Sequence, residues 1–143
     1  MTEITESKFK TWCKKFNYYN LKLNVGTATG HLINQPADFI MSIKGKMYLV
    51  ECKEVEKNET FPFVRFTQKR KMSLAKKTDS KLKCYVLVYF KRLDTICLFD
   101  IKSYLKVEKS SIFKSGKSKE SFNIKDIDDK FKCNWKTLHE KLK

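Results

Sequence analysis

Arginine is scarce: Arg65, Arg70 and Arg92 are the only three in a combined Lys and Arg count of 31. That scarcity limits bidentate reading of guanine edges. It leaves lysine, a point charge, to meet phosphates without regard to base sequence. Acidic residues are also few, and 16 Asp and Glu leave a formal net charge of +15 at pH 7. An AT-rich coding sequence explains lysine in place of arginine but does not explain the shortage of acids. A small domain needs no such charge for solubility and bears self-repulsion because of it. The expected partner is a polyanion, nucleic acid first and an anionic membrane surface well behind.

Other absences narrow the class. No two of Cys13, Cys52, Cys84, Cys97 and Cys133 are close enough for a Cys-x-x-Cys metal knuckle. Cys52, Cys84 and Cys97 fall inside apolar strand-like runs, where a free thiol acts as a small hydrophobe. A reducing setting follows. No apolar run approaches a membrane span. The first six residues have neither the basic nor the apolar region of a signal peptide. The expected location is cytoplasmic or otherwise intracellular, including the host cell if a virus or phage encodes the chain. Neither an internal repeat nor an interdomain linker divides the sequence. Its length suits one α/β domain over 1–143, with a less defined C-terminal extension over 102–143.

Residues 5–18 are predicted as an amphipathic helix, with Phe9, Trp12, Cys13 and Phe16 at helical spacing and lysines between them. The stripe Phe9, Trp12, Phe16 reads as core or dimer interface. Strands are expected at 21–25, 38–43, 46–53, 83–90 and 95–99, with Lys44-Gly45 as a tight turn. In the third strand Met47, Leu49, Glu51 and Lys53 share one face, and Tyr48, Val50 and Cys52 the other. Both faces are mostly apolar, so this strand is expected near the centre of the sheet. A loop at 54–60 precedes a helix at 65–77. Gln68, Met72 and Ala75 line one side of that helix, while Lys69, Arg70, Lys76 and Lys77 face solvent or DNA. Residues 109–121 read as a mobile Ser/Lys loop, and 126–143 as one or two short helices carrying Phe131, Trp135 and Leu138. The order is α-β-β-β-α-β-β.

Asp38 and the Glu51-Cys52-Lys53 segment form the constellation with chemistry in it. Counting outward from Lys44-Gly45, Ile43 faces Lys46 and Asp38 faces Glu51. Cross-strand neighbours have Cβ atoms about 4.5–5.5 Å apart, a spacing at which two carboxylates can share Mg²⁺, with Mn²⁺ as a substitute. The Cys52 backbone carbonyl is a further candidate ligand. Lys53, two residues from Glu51, lies on the same face and can reach an attacking water or a scissile phosphate. The bland reading makes Asp38 a turn residue and Glu51–Lys53 a solvated pair. Against it, charged residues interrupt an apolar central strand, where burial without function is costly. His31, in a small-residue loop, is a candidate phosphate contact, though a plain loop histidine is the simpler reading; His139 is read as structural. Glu6 is either a further acid at the site or a first-turn acid that favours a helix N-terminus, with Glu3 as its rival.

Residues 6–99 resemble the PD-(D/E)xK nuclease superfamily, and within it the Holliday junction resolvases of the RecU and archaeal Hjc type. Pro36-Ala37-Asp38 is similar to the PD half-motif with one residue inserted, and Glu51-Cys52-Lys53 to the ExK half. Phe61 to Gln68, followed by Met72, is similar to the RecU segment after ExK. The segment 25–36 is too short for a RecU-type stalk. The resemblance implies a restriction-endonuclease-like α/β core: a mixed central β-sheet flanked by helices. It implies that Gln68 faces the active site and that Glu6 is a further acidic contributor. The implied activity is Mg²⁺-dependent endonuclease cleavage of branched DNA by a homodimer, with paired nicks in four-way junctions. Two other readings stand beside it: a replication or restriction nuclease of the same fold, and a non-catalytic basic DNA-binding module.

Overall fold

The computed structural model describes residues 3–23, 37–115 and 121–142. In chain order the elements are α1 (Glu3–Lys15), β1 (Tyr19–Lys22), β2 (Phe39–Ile43), β3 (Lys46–Val55), β4 (Thr60–Pro62), α2 (Lys69–Thr78), β5 (Lys83–Phe90), β6 (Thr95–Asp100), α3 (Ile101–Ser115), β7 (Ser121–Asn123), β8 (Lys132–Cys133) and α4 (Leu138–Lys141). No described helix is long and apolar enough to cross a membrane.

Helix α1 forms because Phe9, Trp12 and Cys13 fall on one buried side. Lys14 and Lys15 occupy its last turn, where cations complement the helix dipole. It ends at Asn17, whose φ is 58°, a left-handed conformation that Asn tolerates. The Tyr18 N–H donates to the Cys13 carbonyl at 2.8 Å and the Asn17 N–H to the Lys14 carbonyl at 3.1 Å. These are the paired bonds of a Schellman cap, and they stop the helix earlier than the expected residue 18.

Six strands form one sheet in the order β1-β2-β3-β5-β6-β8. Lys44 and Gly45, at φ 49° and 80°, supply the two left-handed positions of a type I′ turn. The β2–β3 register is therefore the one counted from the sequence, Ile43 against Lys46 through Phe39 against Val50. Strand β5 runs parallel to β3, which requires a crossover. Residues 56–82 provide it, carrying β4, a 3₁₀ turn at Phe63–Arg65 and α2. The fold is thus the restriction-endonuclease-like α/β arrangement, a mixed central sheet flanked by helices.

Both faces of the sheet are covered. Leu49, Val86, Val88, Cys97 and Phe99 meet Met72 of α2, Tyr104 of α3 and Phe122 of β7 on one face. Tyr48, Val50, Cys52, Leu87 and Ile96 meet Phe9 and Trp12 of α1 and Leu138 of α4 on the other. Phe9 and Trp12 are therefore core residues. His139 stacks on Phe16, ring centroids 4.6 Å apart. All five cysteines are free thiols. Burial pushes Cys13 and Cys97 up to about 12, and Cys84 and Cys133 up to about 11.

Several boundaries differ from the sequence reading. The first strand is Tyr19–Lys22, not 21–25. Strand β3 runs on to Val55, and Thr60–Pro62 is a short strand, where a loop was expected over 54–60. The predicted helix 65–77 begins only at Lys69, because Phe63–Arg65 form a separate 3₁₀ turn. The expected loop over 109–121 is helical as far as Ser115. Asp100 starts that helix: its carboxylate accepts the Ser103 N–H at 2.8 Å and the Ser103 hydroxyl at 2.9 Å, an N-terminal cap. Ile101 and Tyr104 then pack inward. In the expected helical stretch 126–143, Lys132–Cys133 is instead an edge strand paired with β6.

The C-terminal region belongs to the core rather than lying beside it. Phe122 packs against Phe61, Phe63, Phe90 and Phe99, with ring centroids 5.6–6.1 Å apart, and β7 pairs with β4. Phe122→Ala is expected to destabilise the protein by about 3–5 kcal/mol. Chemical denaturation followed by circular dichroism measures this; a change below about 1 kcal/mol would mean that the region is dispensable.

Candidate active site

Strand β2 stops at Phe39, and one residue before it the Asp38 side chain takes over the role of a strand partner. Asp38 Oδ2 accepts the Cys52 backbone N–H at 2.9 Å. In an extended strand the N–H and C=O of one residue point to the same edge, so the Cys52 carbonyl also faces the Asp38 side. The Cys52 thiol lies on the other face, fully buried among apolar side chains. If Cys52 contributes a ligand, it is through its backbone.

Glu51 follows Val50 in β3, whose partner is Phe39, so the register brings Glu51 level with Asp38. Lys53 points to the same face and its Nζ lies 3.1 Å from Glu51 Oε2. The Glu51 side chain is only 1% exposed, and that of Lys53 13%. Glu51 Oε1 is buried with no hydrogen-bond partner among the described residues. Burial, followed by the Asp38 charge, raises the Glu51 carboxyl to about 7 against the pull of Lys53. Burial also raises Asp38, with the Cys52 N–H opposing.

Glu6 reaches this group from α1. It is 8% exposed and forms an ion pair with Lys22 Nζ at 2.8 Å. Its charge raises both Asp38 and Glu51, while Lys22 lowers Asp38. The structure thus brings Glu6, Asp38, Glu51 and Lys53 into one electrostatic group. Lys22 is a member that the sequence reading missed; its only signal was its place among the polar positions of β1. Next to this group, Thr5 donates to the Glu54 carboxylate at 2.8 Å and Arg65 to the Glu54 carbonyl at 2.6 Å.

The remaining candidates lie elsewhere. Gln68 sits at the start of α2 and its Oε1 accepts the Thr67 hydroxyl at 3.2 Å. Among the described residues it has no hydrogen bond to the carboxylates. Lys69 pairs with Glu108 at 2.6 Å, joining α2 to α3. Lys76 donates to the Ser80 and Leu82 carbonyls and closes the end of α2. Arg70 and Lys77 are exposed. His31 and Pro36 lie outside the described residues.

Among the described residues no group of three or more His, Cys, Asp or Glu side chains is placed to hold a metal. A two-carboxylate site is still what Mg²⁺ uses, with waters filling its other positions. The unpartnered Glu51 oxygen, the Asp38 carboxylate level with it and the Cys52 carbonyl are hard oxygen donors, so the residues fit such an ion. Without it, the raised Glu51 carboxyl binds its proton more tightly folded than unfolded. That contribution to stability is present below the ordinary carboxylate range, near 4.5, and is lost as pH rises through about 7. In metal-free buffer Glu51→Gln should therefore stabilise the protein more at pH 8 than at pH 5, by about 1–3 kcal/mol. Denaturant melts at the two pH values measure this, and an equal effect at both would remove the buried carboxyl from the account.

No protein-family model matches the chain, and no curated protein sequence matches it. Among solved structures, the chain is similar to Hjc of Archaeoglobus fulgidus, a Holliday junction resolvase from an archaeal hyperthermophile, with a TM-score of 0.51 and 12% identity. That similarity covers 68% of this chain and 74% of the other. At such identity the likeness is one of fold.

Proposed function

We propose that this chain is a metal-dependent DNA endonuclease whose substrate is branched DNA, with a four-way junction as the first candidate. One observation carries the proposal: a buried carboxylate, Glu51, with an oxygen unpartnered among the described residues, level with Asp38 and beside Lys53. A structural role would leave that arrangement as a pure cost. The fold shared with a Holliday junction resolvase and the formal charge of +15 support a DNA substrate.

Asp38 and Glu51 would hold Mg²⁺ or Mn²⁺ with the Cys52 carbonyl. Such an ion lowers the pKa of water and offsets charge on a reacting phosphate. Lys53 holds a positive charge beside Glu51, where it can orient a water or stabilise the phosphate in the transition state. Lys22 holds Glu6 against the site and limits repulsion among the three carboxylates. On the resemblance alone Gln68 would turn toward the site, giving up its Thr67 partner. Of the four candidate DNA-contacting cations on α2, Arg70 and Lys77 are exposed and free to meet DNA; Lys69 and Lys76 would first have to exchange their internal partners. A homodimer would place two such sites for paired nicks.

Asp38→Asn or Glu51→Gln should abolish cleavage in Mg²⁺ while leaving DNA binding largely intact in electrophoretic shift assays. Lys53→Ala should slow single-turnover cleavage by about 10²–10³-fold. Metal-dependent cleavage surviving both carboxylate changes would remove Asp38 and Glu51 as the site, whereas no cleavage of any DNA by the unmodified protein would favour a non-catalytic DNA-binding module.

Substrate choice is tested separately. The protein should cut a four-way junction at two symmetry-related positions and bind it more tightly than duplex of equal length, with affinity falling steeply as salt rises. Equal cleavage of junction and duplex would support a replication or restriction nuclease with the same chemistry.

A further inference from the structure

We infer that a groove between α1 and the residues following β8 binds an unpaired nucleic-acid strand. The inference goes beyond the nuclease reading, since none of the site carboxylates defines the groove. Its volume is about 610 Å³. Trp12 and Trp135 both line it, and they are the chain's only two tryptophans.

Trp12 forms the floor. It is 3% exposed, and its indole N–H has no hydrogen-bond partner among the described residues. Trp135 is half-buried and meets Tyr89 edge to face, ring centroids 5.4 Å apart. Lys8, Lys15 and Lys136 supply the rim, all exposed, and among the described residues no carboxylate lines the groove. Lys8 Nζ lies 5.8 Å from the Tyr89 ring centroid, so one rim charge stands directly beside the aromatic wall.

Trp135, half-buried below the lysines, matches a single strand: a base can stack on its ring, a contact worth about 1–3 kcal/mol, Trp12 backs the groove from the core, and phosphates meet the cations. A duplex keeps its bases inside and can use only the lysines. An acidic peptide likewise offers charge without ring faces. Ser7 and Lys8, which line the groove, directly follow Glu6 in α1.

Because both tryptophans line the groove, their emission reports its occupancy. The test titrates the full chain in EDTA with oligothymidylate of about ten nucleotides and with blunt duplex of the same length. Single strand should quench emission saturably and duplex much less. Lys8→Glu, Lys15→Glu and Lys136→Glu together should weaken single-strand binding by about tenfold or more. Lys46→Glu, Lys81→Glu and Lys102→Glu together make the same charge change at exposed positions elsewhere, and should weaken it less than about threefold. Thermal melts check that each variant folds. Trp135→Leu, read through Trp12, supplies an independent variant and should also lose affinity. Absence of quenching, equal weakening by the two triple variants, or competition by polyglutamate as strong as by the strand would overturn the inference. The readout uses neither metal nor cleavage, so its failure and that of the nuclease reading are distinguishable.

Discussion

Strand β3 holds the structure together and also has to carry its charges. It pairs antiparallel with β2 and parallel with β5, and both cores are built on its two faces. A strand in that position is ordinarily apolar throughout. Here its later half contains Glu51, Lys53 and Glu54, each needing a partner as the price of burial. Lys53 answers Glu51, and Thr5 answers Glu54. The early end of β2 at Phe39 frees the Cys52 N–H for Asp38. Helix α1 is positioned by its aromatic face and thereby delivers Glu6, which Lys22 holds. Among the described residues one Glu51 oxygen stays unanswered, which is why the proposed chemistry is placed there.

Much of this arrangement was legible in the sequence because it depends on short-range rules. Lys44-Gly45 fixes a two-residue turn, and a two-residue turn fixes register, so the level placement of Asp38 and Glu51 could be counted. The two-residue period of β3 separated Glu51 and Lys53 from Cys52. Strand β5, an uninterrupted apolar run, was read to the residue. What escaped was set by long-range packing. Helix α3 was missed because lysines and serines dilute its apolar side; the Asp100–Ser103 cap was the available signal. Strands β4, β7 and β8 are too short for any period to show. The Glu6–Lys22 pair joins a helix to a strand and has no spacing rule. Whether Gln68 serves the site likewise depends on how the start of α2 is held.

The comparison with the archaeal resolvase fits this division. A sheet order and two cores survive almost complete replacement of side chains as long as volume and pattern are kept. At 12% identity the fold is what such a likeness conveys, since function resides in particular side chains set on it. The weight of the functional argument therefore rests on the distances around Glu51.

The cysteines have a consequence of another kind. Attack on an alkylating or disulfide reagent requires a thiolate, and burial holds Cys13, Cys52, Cys84, Cys97 and Cys133 far from that form. Cys13, Cys52, Cys84 and Cys97 are also buried out of reach of such reagents, whereas Cys133 is only partly buried. Labelling of those four counts an opening of the fold, so its rate becomes a clock for local and global unfolding. With Cys133 replaced, a single engineered surface cysteine could carry a dye or spin label in the native protein without removing the other four.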